Sequence, residues 1–94
     1  MTQEQMLAAL KQRPEVQITS TAYDGNLAQL LASASGFISR EGATLDTDGS
    51  AEDAQLVIWY AAWMYAQSAG KADDTMPRGL RWALNNRIFS EAIQ

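Results

Sequence analysis

The residues that could carry chemistry are few, and most gather at two places. The first is Asp46-Thr47-Asp48-Gly49-Ser50, whose oxygen donors are spaced like the start of a calcium-binding loop. With Asp46 as position 1, Asp48 and Ser50 fall at positions 3 and 5. Position 6, however, is Ala51 where glycine is needed, and position 8 is Asp53 where an apolar residue pins the loop. Position 12 is Val57 where a bidentate Glu closes the coordination sphere. The pattern therefore predicts a turn followed by a helix cap at Ser50, with no metal. The second place is the pair Asp73-Asp74, beside Gly70-Lys71. Acid–base work needs a cleft that drives two pKa values apart. Adjacent acids in a short polar loop instead suit solvent or the positive end of the helix that follows. Ala69-Gly70-Lys71 lacks the glycine-rich loop that precedes a phosphate-binding lysine.

Composition closes further routes. The chain has 94 residues with neither cysteine nor histidine. That excludes thiolate and imidazole metal sites, disulfide scaffolds and His-dependent nucleophile triads. No catalytic constellation remains, and neither enzyme activity nor a cofactor is expected. Ser50 follows acids and precedes a helix, a placement that resembles the modified serine of acyl carrier proteins. Its neighbours are Gly49 and Ala51 rather than the Asp-Ser-Leu of those proteins, and an N-cap accounts for it. Trp59, Tyr60, Trp63 and Tyr65 could stack on a ligand, but at helical spacing within an apolar run they read as core.

The charge balance is 7 basic to 11 acidic residues, a net of −4, which opposes wrapping nucleic acid. It is uneven. Residues 77–94 hold Arg78, Arg81 and Arg87 against Glu91, and the rest holds the other acids. A head-to-tail contact between copies could use that polarity. The N-terminus carries Glu4 where a signal peptide needs positive charge. The longest apolar run, Leu56 to Ala66, is about half of the ~20 residues a membrane span requires. An intracellular protein without a membrane partner is expected.

The elements that must position these residues read as one all-α domain over residues 1–94, a bundle of about four helices. The first runs from about Gln3 to Gln12, opened by the capping box Thr2/Gln5 and stopped by Pro14. Val16-Gln17-Ile18-Thr19 alternates and could be a short extended piece. The second helix spans about Ala22 to Glu41, with Thr21 and Asp24 as capping residues and Gly42 as a left-handed C-cap. The third runs from about Ala51 to Ala69, capped by Ser50 and ended by Gly70. Its centre is apolar on every side, which makes it the buried central helix. The fourth starts near Pro77 and reaches about Ala92. It bears two almost opposed apolar stripes: Leu80, Ala83, Leu84 and Ile88 on one side, Trp82, Phe89 and Ile93 on the other. Two opposed stripes cannot both face one small core. Either the second meets another chain, or Trp82 and Phe89 fold back under a loop.

Two segments then carry a family likeness. One is the acid-started, alanine-studded helix Ala51-Glu52-Asp53-Ala54-Gln55-Leu56-Val57-Ile58-Trp59-Tyr60-Ala61-Ala62-Trp63-Met64-Tyr65. The other is Met76-Pro77-Arg78-Gly79-Leu80-Arg81-Trp82-Ala83-Leu84-Asn85-Asn86-Arg87, with its apolar-Pro-x-Gly-apolar start and late Arg. Together they resemble the head–tail connector (adaptor, head-completion) proteins of tailed bacteriophages and prophages. Gln67-Ser68-Ala69-Gly70 stands where family members often carry an Asn-Arg-Glu-type stretch. The resemblance implies a structural virion protein, made in the bacterial host cytoplasm and located at the head–tail junction. Its partners would be copies of itself in a ring, the portal protein, and the next connector or tail protein, with DNA passing through unbound. The interface residues expected are Arg78, Arg81, Trp82, Phe89 and Ile93. The alternative reading is a small acidic helical regulator or DNA mimic, which would need carboxylates spaced along one exposed face.

Overall fold

The computed structural model describes residues 1–92. Four helices follow one another: α1 (Gln3–Gln12), α2 (Asp24–Arg40), α3 (Ala51–Ser68) and α4 (Arg78–Ala92). No strand is present among the described residues, and no helix among them is long and apolar enough to cross a membrane. The chain forms a flattened body of 42 × 29 × 18 Å. Its thin dimension matches two layers of packed helices.

Local signals fix most boundaries. Thr2 Oγ1 accepts from the Gln5 amide at 3.2 Å while Gln5 Oε1 accepts from the Thr2 amide at 2.8 Å. This reciprocal cap starts α1. Pro14 forces Arg13 into extended geometry (φ −62°, ψ 143°), and α1 ends there. Residues 14–16 form a turn and 17–20 take no regular structure, so no strand forms here. The amide of Val16 donates to Arg13 O at 2.9 Å and that of Ile18 to Lys11 O at 3.1 Å, so the segment folds back over the end of α1. Gln17 adopts a left-handed φ of 49° to make that reversal, and Val16 is buried. An extended piece would have carried Val16 away from the core.

Helix α2 begins at Asp24, two residues later than the sequence predicts, and its N-cap, Tyr23, makes no side-chain cap. Thr21 contributes only its carbonyl, to the Asp24 amide at 3.2 Å. The Asp24 carboxylate is drawn instead to Lys11 Nζ at 2.8 Å, which ties the start of α2 to the last turn of α1. Gly42 follows the helix at φ 117°, where a side chain is strained. Helix α3 opens on Ser50, whose Oγ accepts from the Asp53 amide at 3.2 Å, a standard N-terminal cap. It closes before Gly70, which takes a φ of 74°, the left-handed geometry that ends helices. Pro77 stands at the cap of α4 rather than in its first turn, and its carbonyl accepts the Arg81 amide at 3.0 Å.

Helix α3 is central, packed against each of the other three. Ala54, Ala61 and Ala62 are fully buried and let neighbouring backbones approach closely, with Val57 and Ile58 between them. Around α3 lie Met6 and Leu10 of α1, Leu27, Leu31, Ala34 and Ile38 of α2, and Leu80 and Leu84 of α4. Each large aliphatic side chain among them contributes about 1.5–3 kcal/mol by leaving water. Three short neighbours do not enclose α3 completely. Glu52 and Gln55 are exposed, and Trp59, Trp63 and Gln67 are half-buried, so one seam of the helix faces outward.

Candidate functional site

The largest departure from an ordinary amphipathic pattern is on α4. Leu80 and Leu84 are wholly buried, whereas Trp82 is 70% and Phe89 64% exposed, the two most exposed large apolar side chains among the described residues. Two turns of one helix separate them, so they stand as a ridge on its outer side. No loop covers them. Ile93, expected to extend the ridge, lies outside the described residues.

Electrostatics hold α4 in place and decide which charges remain for anything else. Arg87 is the clamp. Its Nε donates to Asp53 Oδ1 at 2.8 Å, Nη1 to Glu91 Oε2 at 3.1 Å, and Nη2 to Thr44 O at 2.6 Å. Asp53 is almost entirely buried, and its other oxygen accepts the Asp46 amide at 2.9 Å. Burial works to raise the Asp53 carboxyl, but the Arg87 hydrogen bond, the Asp46 amide and the Arg87 charge outweigh it. The group is thereby held below the usual Asp range. Donating that hydrogen bond to Asp53 raises Arg87 further. Arg81 reaches Glu41 at 2.9 Å, tying α4 to the end of α2.

These pairs correct the picture of a free basic tail. Arg81 and Arg87 are spent inside the chain, so the positive end read from the sequence is largely neutralised. Arg78, exposed at the start of α4, is the cation of this helix without an ion pair among the described residues. The five interface residues expected thus separate. Trp82, Phe89 and Arg78 are exposed on α4, Arg81 is held by Glu41, and Ile93 is not described.

The acidic loop behaves as a turn. Asp46 Oδ1 accepts the Gly49 amide at 3.0 Å, its own amide goes to Asp53, and its carbonyl takes the Ser50 amide at 2.8 Å. Among the described residues no cluster of acids could hold a metal ion. Asp73 accepts the Thr75 amide at 2.9 Å and Asp74 the Gln67 side chain at 3.3 Å, both exposed. The aromatic residues of α3 are only in part core. Tyr60 is buried and meets Trp63 edge to face at 5.6 Å, while Trp59 lies under the Arg13 guanidinium at 5.9 Å.

Beside the ridge runs a groove that sequence reasoning missed. Two hollows, of about 380 and 290 Å³, share Glu52, Leu56 and Ala83 and so form one trough along the first half of α3. Trp59 and Arg13 wall one end, Trp82 and Asn86 the other. Gly79 sets its geometry: a Cβ there would sit 3.0 Å from Trp59 Cη2, so glycine lets α4 start against that ring. The small Ala83 keeps the trough open. The signal in the sequence was the small residue at position 83 on the side of α4 facing α3. Compared with protein-family models, curated proteins and solved structures, the chain gives no match. What fold and site define is a four-helix bundle that presents an uncovered aromatic ridge beside an apolar-floored groove.

Proposed function

We propose that this chain is a structural subunit of a phage or prophage head–tail connector, assembling as a ring below the portal protein and extending the DNA channel for tail docking. The observation that carries the reading is the ridge: an ordered helix turns its aliphatic side inward and leaves Trp82 and Phe89 in water. Two large aromatic side chains left in water on one side of a helix offer anchors for a partner, and aromatics buried at an interface commonly dominate its energy. The connector likeness of residues 51–65 and 76–87 supplies the kind of assembly. A surplus of acids suits a channel lining, because it offers packaged DNA few cationic contacts. Virion placement and assembly in the host cytoplasm belong to the same proposal. The acidic-regulator reading is disfavoured, because Asp24, Glu41, Asp53 and Glu91 are engaged in ion pairs rather than ranged along one open face.

The test is to read the neighbouring genes and, where one encodes a portal protein, to co-produce it with this chain. The chain is expected to copurify with portal rings and add a layer in electron micrographs, and the Trp82→Ser/Phe89→Ser variant to stay folded but lose that association. A gene neighbourhood without portal or capsid proteins, or a double variant that joins portal rings as well as the parent, would overturn the reading.

A further inference from the structure

We infer that α4 is a releasable strap: it undocks as a unit, hinged on residues 69–77, while α1, α2 and α3 stay folded. This is a property of the free subunit and stands apart from the assembly the chain enters.

The core is the first argument. Its continuous buried cluster has 17 residues, and all but Leu80 and Leu84 belong to α1, α2, α3 and their connections. Those three helices pack on one another in every combination, whereas α4 leans chiefly on α3. Lifting α4 away therefore leaves a three-helix body with most of its core in place. Segments that bury little apolar surface open at a lower free energy than the whole domain.

The helix itself is the second. Arg78 and Arg81 stand in the first turn of α4 and Glu91 in its last. Both ends thus carry the sign that the helix dipole disfavours. Gly79, Asn85, Asn86 and Ser90 are weak helix formers, and a helix of 15 residues is marginal in water on its own. It is helical because it is docked, so it leaves by losing its structure cooperatively. Its fastenings are few. Beyond the two leucines they are Arg81 on Glu41, which is half in water, and Arg87 on Asp53 and the Thr44 carbonyl. An exposed pair holds little, which leaves Arg87 on Asp53 as the buried latch.

The hinge is the third. Residues 69–77 have no regular structure and are mostly exposed. Their side-chain bonds are exposed and local: Asp73 accepts the Thr75 amide at 2.9 Å, and Asp74 the Gln67 side chain at 3.3 Å. Nine residues span up to about 30 Å, so the tether allows α4 to clear the body without straining α3. Release also uncovers something. Gly79 lies against the Trp59 ring, and Ala83 lines the hollow floored by Leu56 and Trp59. The strap thus gates an apolar strip of α3, open to a partner only when α4 is away.

Native-state hydrogen exchange of the full chain, read by NMR in rising sub-denaturing urea, tests the strap. After correction for intrinsic rates, amides from Leu84 to Ile88 should exchange at least about tenfold faster than those from Val57 to Ala62. Their urea dependence should also be shallower, because opening α4 exposes less surface than unfolding the domain. Two variants separate release from global unfolding. Val16→Ala weakens the three-helix core alone, so exchange in α3 should rise about tenfold while that in α4 stays within about twofold. Leu84→Ala should speed both alike, since Leu84 is freed in either opening. Equal protection with equal urea slopes in α3 and α4, or α4 accelerating as much as α3 in Val16→Ala, would overturn the inference. If Val16→Ala does not fold, the urea slopes of the parent decide it alone.

Discussion

Replacing Asp53 with Asn tests whether α4 is held by charge. Asp53 is buried at the first turn of α3, accepts Arg87 Nε at 2.8 Å, and takes the Asp46 amide at 2.9 Å. Asparagine keeps the shape but loses the charge, and it turns one acceptor into a donor facing a donor. Hydrogen bonds to charged groups contribute about 1.5–3 kcal/mol. Arg87 retains Glu91 and the Thr44 carbonyl. The expected cost is therefore about 2 kcal/mol rather than the upper figure for a fully orphaned buried charge. In a domain this small that lowers Tm by roughly 10 °C and the urea midpoint by about 2 M, read by tryptophan fluorescence. The pH dependence follows from the direction of the shift. The folded-state pKa of Asp53 is depressed: burial opposes ionisation, but Arg87 and the Asp46 amide overcome it. Its contribution is therefore complete above the unfolded value of about 3.9 and disappears as pH falls through the lower folded-state value. Two other carboxylates are also held low. Glu91 is lowered by its bonds with Thr44 and by Arg87; in Glu15 burial opposes ionisation, but the Arg13 pair outweighs it. Both persist in the variant, so only the gap between parent and Asp53→Asn isolates Asp53. That gap should be widest near neutrality and close below about pH 4. A variant within about 0.5 kcal/mol of the parent, or a gap constant from neutral to acid pH, would refute the reasoning.

Trp82→Ser and Phe89→Ser should each change monomer stability by no more than about 0.5 kcal/mol in urea, because most of each side chain is already in water. Ser50→Ala should cost about 1 kcal/mol by removing the oxygen that caps α3 at the Asp53 amide. Gly42→Ala should cost about 1–2 kcal/mol from backbone strain. The strain arises at φ 117°, since the added Cβ would meet Ile88 at a comfortable 3.7 Å. The last two are measured as shifts in Tm by circular dichroism, and a neutral result in either would remove its assigned cause.

How far the sequence reveals this molecule depends on how local each cause is. The Thr2/Gln5 box, the Pro14 stop and the Ser50 cap act over three or four residues, and α1 and the start of α3 lie where those signals put them. Thr21 and Asp24 show the failure of the same logic. Their spacing matches a cap, but Lys11, 13 residues before Asp24, takes the carboxylate, and the helix starts later without a side-chain cap. Val16–Thr19 alternates over too few residues to define a strand, and its backbone finds partners at the end of α1. Opposed stripes on α4 were legible because helical periodicity is a property of the sequence itself. The Asp53–Arg87 pair was not, since 34 residues separate its members and only the antiparallel packing of α3 and α4 joins them. A sum of charges over residues 77–94 likewise counts Arg81 and Arg87 as free, when Glu41 and Asp53 hold both.

The energetics of α4 bear on when assembly occurs. Burying roughly 300 Å² of ridge at about 25 cal/mol per Å² yields about 7 kcal/mol before any cost. Association of two free subunits costs about 4–15 kcal/mol in lost translational and rotational freedom. One contact through the ridge is therefore close to balance, and dilute subunits should remain separate. A closing ring changes the arithmetic, because the last subunit forms two contacts for a single loss of freedom. A template that already holds a neighbour in register lowers that loss again, as any preorganised site does. The exposed aromatics are thus compatible with a monomer that stays apart in solution and commits only where several copies are gathered in a circle.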